Sequence, residues 1–170
     1  MTYAVGSKVI YPAHGTAEIV GRTTRVFDGE EIAYLELVVP ERGYGTSGDM
    51  TVLVPEAKAS ELGVRDAISR DEAEEVLAVL AVTNVRVPTN WSRRFKNHQE
   101  KLKSGDVYEC AEVVRNLSRR EHDGSLSNAE KSMQARARHI LISELSVSWD
   151  VDPETAEARI NDVLAASAPS

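Results

Sequence analysis

The chain has 170 residues, a hydrophobic fraction of 42% and a formal net charge of −7, which suits one ordinary domain or two small ones with a real core. The acidic balance argues against a protein whose whole surface seeks nucleic acid or anionic membrane. A single cysteine, Cys110, excludes an intramolecular disulfide and a zinc site built on paired thiols. The N-terminus has no leader pattern and no run approaches the roughly 18 apolar residues of a membrane span, so we expect a cytoplasmic protein.

The first sixty or so residues predict short strands with tight turns. Asp28-Gly29 separates two strand-forming runs and is a strong hairpin signal, because the turn that joins such strands needs positive φ. Pro12 and Pro55 stop the first and last strands. The predicted strands are Lys8–Tyr11, Thr16–Phe27, Glu31–Val39 and Met50–Val54. In the third of them, Ala33, Leu35, Leu37 and Val39 alternate and should face inward. The pattern indicates a small SH3-like or Tudor-like β-barrel over residues 1–56.

Residues 64–166 predict an all-helical domain of about five helices, so the fold class is a two-domain α+β protein. Ser69 to Glu72 and Ser127 to Glu130 are capping boxes that open the first and fourth helices. Thr89 or Asn90 caps the second helix. The helices are expected over 73–82, 90–104, 106 to about 120, 128 to about 148, and from Pro153 onward, with 165–170 as a frayed tail.

The basic charge of the chain is regional. Residues 86–146 carry 12 Lys and Arg against 8 Asp and Glu, a balance of +4, which leaves −11 for the rest of the chain. The second helix contributes the densest cluster. The basic residues of this helix are Arg93, Arg94, Lys96, Lys101 and Lys103. A solvated helix face is the ordinary interpretation of such a cluster, and a phosphate-binding surface is the functional one.

The same helix carries an apolar stripe at helical spacing, formed by Trp91, Phe95, His98 and Leu102. An indole beside arginines and lysines suits nucleic acid, because the cations neutralise phosphates while the ring stacks on, or enters, an opened base step. A tryptophan at the end of such a stripe is equally compatible with a core position. Both interpretations stay open at this point.

The order and spacing of several motifs resemble the CarD-like regulators of bacterial RNA polymerase, most closely the mycobacterial and other actinobacterial members. The resemblance covers nearly the whole chain. The motifs include Val9-Ile10-Tyr11-Pro12-Ala13-His14-Gly15, Leu62-Gly63-Val64-Arg65-Asp66, Pro88-Thr89-Asn90-Trp91-Ser92-Arg93-Arg94, Ala111-Glu112-Val113-Val114-Arg115 and Leu126-Ser127 with Glu130-Lys131.

This resemblance implies a global transcription regulator that stabilises the promoter open complex. The Tudor-like domain would dock on the RNA polymerase β subunit, and the helical domain would reach promoter DNA at the upstream edge of the transcription bubble, without reading sequence. Trp91 matches the residue that acts in the family as a minor-groove wedge. The expected phosphate contacts are Arg93, Arg94, Lys96 and Lys131.

On the polymerase side, the expected binding residues are Arg25, Phe27 and Leu53, where Leu53 replaces a basic residue of the actinobacterial pattern. The loop from Arg42 to Asp49 is longer than in mycobacterial relatives, and a tolerated insertion is the favoured interpretation. We expect a monomer with no catalytic residues, cofactor or metal, and no membrane partner. The alternative is a protein-interaction module in which Trp91 belongs to the core and has no direct DNA role.

Overall fold

The computed structural model describes residues 3–12, 14–40, 48–83 and 85–167. The chain divides into two compact units after Ala67. The first unit therefore extends beyond the boundary expected at residue 56, because Ala59 and Val64 are buried with the core of the sheet. Arg65 also exchanges backbone hydrogen bonds with Ile10 of the first strand. The segment after the last strand thus belongs to the β unit.

The first unit is a four-stranded antiparallel half-barrel in the order β1-β2-β3-β4. A single 3₁₀ turn, Glu56–Lys58, follows the last strand. The strands are β1 Lys8–Tyr11, β2 Gly15–Phe27, β3 Glu30–Pro40 and β4 Asp49–Pro55. These bounds lie within one residue of those predicted, and they confirm the β half of the fold class.

The hairpin between β2 and β3 has the predicted turn, since Asp28 and Gly29 have φ values of 53° and 79°. Leu35 and Leu37 of β3 are fully buried as expected. Ala33 is exposed, contrary to its expected inward position, because the hairpin end extends past the core that covers the middle of the sheet. The tip of the hairpin is consequently open to solvent on both faces.

The second unit is all helical, with five helices among the residues described, as expected. They are α1 Arg70–Ala81, α2 Trp91–Lys103, α3 Val107–Asp123, α4 Asn128–Trp149 and α5 Pro153–Ser167. Their inward faces share one core, whose fully buried members include Leu80, Val114, Leu117, Leu141 and Leu145. No helix of the described residues is long and apolar enough to cross a membrane.

Three helix ends differ from expectation. Helix α1 begins at Arg70, directly after its Ser69 cap and three residues before the expected start at 73. Helix α3 continues to Asp123 and ends at Gly124, three residues past the predicted end, because His122 and Asp123 weaken a helix less than glycine does. Helix α5 continues to Ser167, so residues 165–167 are helical, and the rest of the predicted tail, 168–170, lies outside the described residues. The predicted insertion over Arg42 to Asp49 also falls outside them as far as residue 47.

Candidate functional site

The site begins at the first turn of α2. Asn90 is the N-cap, and its side-chain oxygen accepts a hydrogen bond from the backbone N–H of Arg93 at 3.0 Å, which satisfies one of the free donors of the helix start. Trp91 is the first helical residue, and Phe95 follows one turn later on the same face. The two rings stack with centroids 4.9 Å apart and planes 8° from parallel.

Trp91 is not a core residue, because 42% of it is exposed. Its ring is nevertheless held in place. One constraint is the stack on Phe95, and the other is a hydrogen bond from the indole Nε1 to the Oε1 carboxylate oxygen of Glu130 on α4, at 3.3 Å. A large apolar ring is thus presented at the surface in a defined orientation, which is uncommon for a merely solvated side chain.

Glu130 is only 1% exposed, and its position is set by the start of α4. Its backbone N–H donates to Ser127 Oγ at 3.2 Å, and its carboxylate accepts from the backbone N–H of Ser127 at 3.3 Å. This reciprocal pair is the predicted capping box. The local backbone geometry of α4 therefore fixes the Glu130 carboxylate independently of its contacts with α2.

Two arginines compensate the buried carboxylate. The Nε atoms of Arg94 and Arg120 each lie 3.3 Å from Oε2 of Glu130. The two pairs differ in environment, since the Arg94 side chain is 4% exposed and that of Arg120 is 43% exposed. Two cations on one carboxylate leave the cluster with a local charge of +1, beneath a surface that carries further cations.

Arg94 differs from the sequence-based expectation of a surface residue that contacts phosphate. Its guanidinium is buried, with Nη1 donating to the carbonyls of Pro88 and Thr89 at 3.4 and 3.3 Å. Helical spacing turns the side chain toward α4, where the Glu130 carboxylate offers a partner for a charge that would otherwise be costly to bury. Arg94 therefore ties the segment before α2 to α4 and is withdrawn from the surface on which a phosphate could lie.

The electrostatics of this cluster follow from burial and charge together. Burial alone would raise the pKa of Glu130, but hydrogen bonds from Ser127 and the charges of Arg94 and Arg120 outweigh it, so the pKa lies below its usual range. His98, one turn beyond Arg94, has its pKa lowered to about 4, first by burial and then by the charges of Lys101 and Arg94. Near neutral pH the cluster therefore holds an ionised carboxylate beside a neutral imidazole.

The remaining predicted DNA-contacting residues are accessible. Arg93 and Lys96 are exposed on α2, and Lys131 is exposed on α4 directly after Glu130. Lys131 follows in sequence the residue that bonds to Trp91, on the first turn of α4. Three exposed cations thus accompany the exposed ring, in a unit that displays no group of three or more His, Cys, Asp or Glu suited to a metal among its described residues.

The predicted polymerase-binding residues lie in the β unit, and the sheet does not bring all of them together. Arg25 is exposed on β2 opposite Ile32, and Phe27 at the hairpin tip is 72% exposed. Leu53 is half-buried on β4 opposite Glu36. Ile32 and Glu36 are four residues apart on β3, about 13 Å, so Leu53 lies well away from the hairpin tip.

The exposed surface of that tip has a second apolar member that sequence reasoning did not single out. Val26 is 69% exposed beside Phe27. Adjacent residues of a strand point to opposite faces, so the tip offers an apolar side chain on each side of the ribbon. The strand pattern alone could not show this, because it does not reveal where the covering core ends.

Sequence reasoning also missed the role of Glu130 as a partner of Trp91. The Ser127 to Glu130 pattern identified the glutamate only as half of a capping box. A capping box is a local signal, whereas the Nε1 contact joins residues 39 positions apart. One clue to this role was available. The carboxylate that caps α4 also faces a basic helix, which is an unusual combination.

Comparison with known proteins supports this division of the chain. A family model described as the CarD C-terminal domain matches residues 75–161, and one described as the CarD-like/TRCF RID domain matches residues 3–68. A protein of Bacillus subtilis (strain 168) named "Putative transcription factor YdeB" is 28% identical over 145 residues, which cover 85% of this chain and 91% of that protein. The half-barrel and the helical unit are thus the two parts of one known arrangement, and the chain belongs to the CarD-like family of transcription-associated proteins that interact with RNA polymerase.

Proposed function

We propose that the β unit docks on the β subunit of RNA polymerase and that the helical unit stabilises the promoter open complex by contacting DNA at the upstream edge of the bubble. The observation that carries the DNA part is the presentation of Trp91: a large ring, 42% exposed, held by a stack and a hydrogen bond among exposed cations. Family membership supports the polymerase part.

The physical role of Trp91 is that of a wedge. Unstacking a base step costs a few kcal/mol, and a ring that occupies the gap offsets part of this cost. Reannealing of the melted strands is then disfavoured, and the open complex lives longer. A ring that is already oriented in the free protein loses little conformational entropy when it enters the gap.

Arg93, Lys96 and Lys131 would hold backbone phosphates without reading sequence. Three cations on a protein of net charge −7 provide weak, salt-sensitive binding by themselves. Docking on the polymerase supplies the high effective concentration that makes such weak binding sufficient. This arrangement explains how an acidic chain can act on DNA.

The first test measures open-complex lifetime with cognate polymerase on an unstable promoter after a competitor challenge. We expect the wild type to prolong the lifetime and Trp91→Ala to lose most of that effect while still binding polymerase, because truncation removes the wedge from a surface position. Val82→Ala is a matched control, since Val82 is another exposed apolar residue of the helical unit, 46% exposed, and it should behave as wild type. A Trp91→Ala variant that keeps the full effect would refute the wedge.

The second test addresses docking. Arg25→Glu should abolish or strongly weaken capture of the β subunit while leaving weak DNA binding unchanged, because the exposed charge lies on the β unit only. Lys8→Glu, an equal charge reversal at an exposed position of β1, should retain capture. Equal loss in both variants would indicate a general charge effect rather than a docking position.

An exposed, stacked aromatic pair also suits a protein partner, which keeps the protein-interaction module as a second candidate. The lifetime assay separates the two. If wild type and Trp91→Ala both leave the lifetime unchanged while binding polymerase equally, the aromatic surface serves a protein rather than DNA.

A further inference from the structure

We propose that Glu130 is the positioning residue of Trp91: its buried carboxylate holds the indole N–H and so sets the orientation in which the ring meets DNA. This inference rests on the proposed function and deepens it. It assigns to an acidic, buried residue of α4 a role in a DNA-contacting surface that is otherwise basic and belongs to α2.

The position of the Glu130 carboxylate does not depend on Trp91. The capping box fixes the carboxylate relative to the first turn of α4, with Ser127 Oγ donating to Oε1 at 3.1 Å. Nothing in this local geometry requires α2. A group fixed by its own backbone is a suitable reference point for a side chain on another element.

The two carboxylate oxygens of Glu130 have different hydrogen-bonding partners. Oε1 accepts from Trp91 Nε1 and from Ser127, whereas Oε2 faces the Nε atoms of Arg94 and Arg120. All these partners donate, so both oxygens must be acceptors. A neutral amide offers one acceptor and one donor, and it therefore cannot satisfy the indole side and the arginine side together.

The contacts with Phe95 and Glu130 together constrain both rotatable bonds of the Trp91 side chain. The stack on Phe95, with planes 8° from parallel, defines the plane of the ring. A flip of about 180° about the Cβ–Cγ bond would keep that plane but move the N–H to the other side, and the Nε1 bond to Glu130 selects one of these two orientations. With both contacts the ring is preorganised, and with the stack alone it can flip.

The test compares Glu130→Gln with Glu72→Gln. Glu72 occupies the same position in the capping box of α1, with Ser69 N at 3.3 Å from its carboxylate, and it is exposed and distant in sequence from any DNA-contacting candidate. Both variants neutralise one capping carboxylate, so a difference between them reports the contacts that only Glu130 makes. The readouts are the indole N–H resonance of Trp91 in ¹H–¹⁵N spectra and the open-complex lifetime.

We expect Glu130→Gln to shift the Trp91 indole resonance and to reduce the lifetime effect by about three- to tenfold, as for the loss of one long hydrogen bond. Glu72→Gln should change neither. The same reduction should follow when Trp91 is replaced by benzothienylalanine, which keeps the bicyclic ring and lacks the N–H. In that background Glu130→Gln should add little further loss.

Three results would overturn the assignment. One is a folded Glu130→Gln protein with a shifted resonance and an undiminished lifetime effect. Another is an equal reduction of the lifetime effect by Glu130→Gln in the Trp91 protein and in the benzothienylalanine protein. This result would mean that the substitution acts only through the arginines. If Glu130→Gln does not fold, full activity of the benzothienylalanine protein would overturn it. Failure of the wild type to prolong the lifetime would instead remove the proposed function, and with it the role assigned to Glu130.

Discussion

The capping boxes of α1 and α4 have the same pattern and nearly the same geometry, yet their surroundings differ. In each, the serine Oγ accepts from the glutamate backbone N–H, at 3.1 Å for Ser69 and 3.2 Å for Ser127. Glu72 is exposed, and the hydrogen bonds of its carboxylate are those with Ser69 of its own cap. Glu130 is 1% exposed and also contacts Trp91, Arg94 and Arg120. One local motif can therefore serve folding alone or also support a functional site, depending on which side chains the tertiary structure packs against it.

The largest expected difference between the two boxes is in stability. Glu130→Ala should lower the free energy of unfolding of the helical unit by about 3–5 kcal/mol, because it leaves the buried Arg94 charge without its partner. Glu72→Ala should cost about 1 kcal/mol or less, as for loss of an exposed cap. Urea denaturation followed by tryptophan fluorescence measures both, since the two tryptophans of the chain, Trp91 and Trp149, lie in this unit. Equal costs would mean that the ion pair contributes no stability.

The next largest effect is a pH dependence that we expect from His98, a residue of α2 whose surroundings include Glu130. His98 has a folded pKa of about 4 against an unfolded value near 6.5, so the unfolded chain binds more protons between these values and stability falls as the pH decreases through this window. The change amounts to roughly 3 kcal/mol. His98→Gln should remove this slope, whereas Glu72→Gln should leave it unchanged. Stability profiles of the three proteins between pH 7 and 4 provide the measurement.

The contribution of Glu130 itself has a different window. Its pKa is lowered in the folded state, so its stabilisation is present above the unfolded value and is lost as the pH falls through the folded one. A slope that persists in His98→Gln only at the acidic end of the profile is therefore expected from Glu130 together with Asp152, whose pKa is lowered by its hydrogen bonds from Thr155. A persistent slope near pH 6 would contradict the assignment of the upper window to His98.

The smallest expected difference in stability between the two capping boxes concerns their serines. Ser69→Ala should cost about 1 kcal/mol, as an ordinary N-cap does. Ser127→Ala should cost somewhat more, about 1–2 kcal/mol, because its hydroxyl also donates to the buried carboxylate of Glu130. The same denaturation assay resolves the two values. A lower cost for Ser127 than for Ser69 would show that the buried carboxylate does not depend on its cap.

Local patterns predicted much of the fold. The hairpin turn at Asp28, both capping boxes and the proline start of α5 were visible because each depends on neighbouring residues. The end of α3 was misplaced because nothing local stops a helix before Gly124. The β unit was expected to end at 56, since the burial of Ala59 and Val64 depends on strands distant in the chain.

The candidate site was only partly predictable. The sequence identified Trp91 and its basic neighbours as candidates but did not show their environment. The periodicity that placed Phe95 one turn after Trp91 could not distinguish an exposed ring from a core one. Arg94 was assigned to the surface with Arg93, although adjacent helical residues point about 100° apart and only α4 determines which of them is covered.

Side-chain periodicity and motifs of a few residues were sufficient to predict which segments form strands and helices, where the capping boxes lie and which family the chain resembles, because each of these properties depends on residues close together in sequence. Only the tertiary structure decided that Trp91 is exposed and anchored, that Arg94 is withdrawn and that Glu130 joins them. The physical reason is that burial and pairing of charges depend on the distance between helices that are remote in sequence, and a buried carboxylate is stable only where its cationic partners meet it.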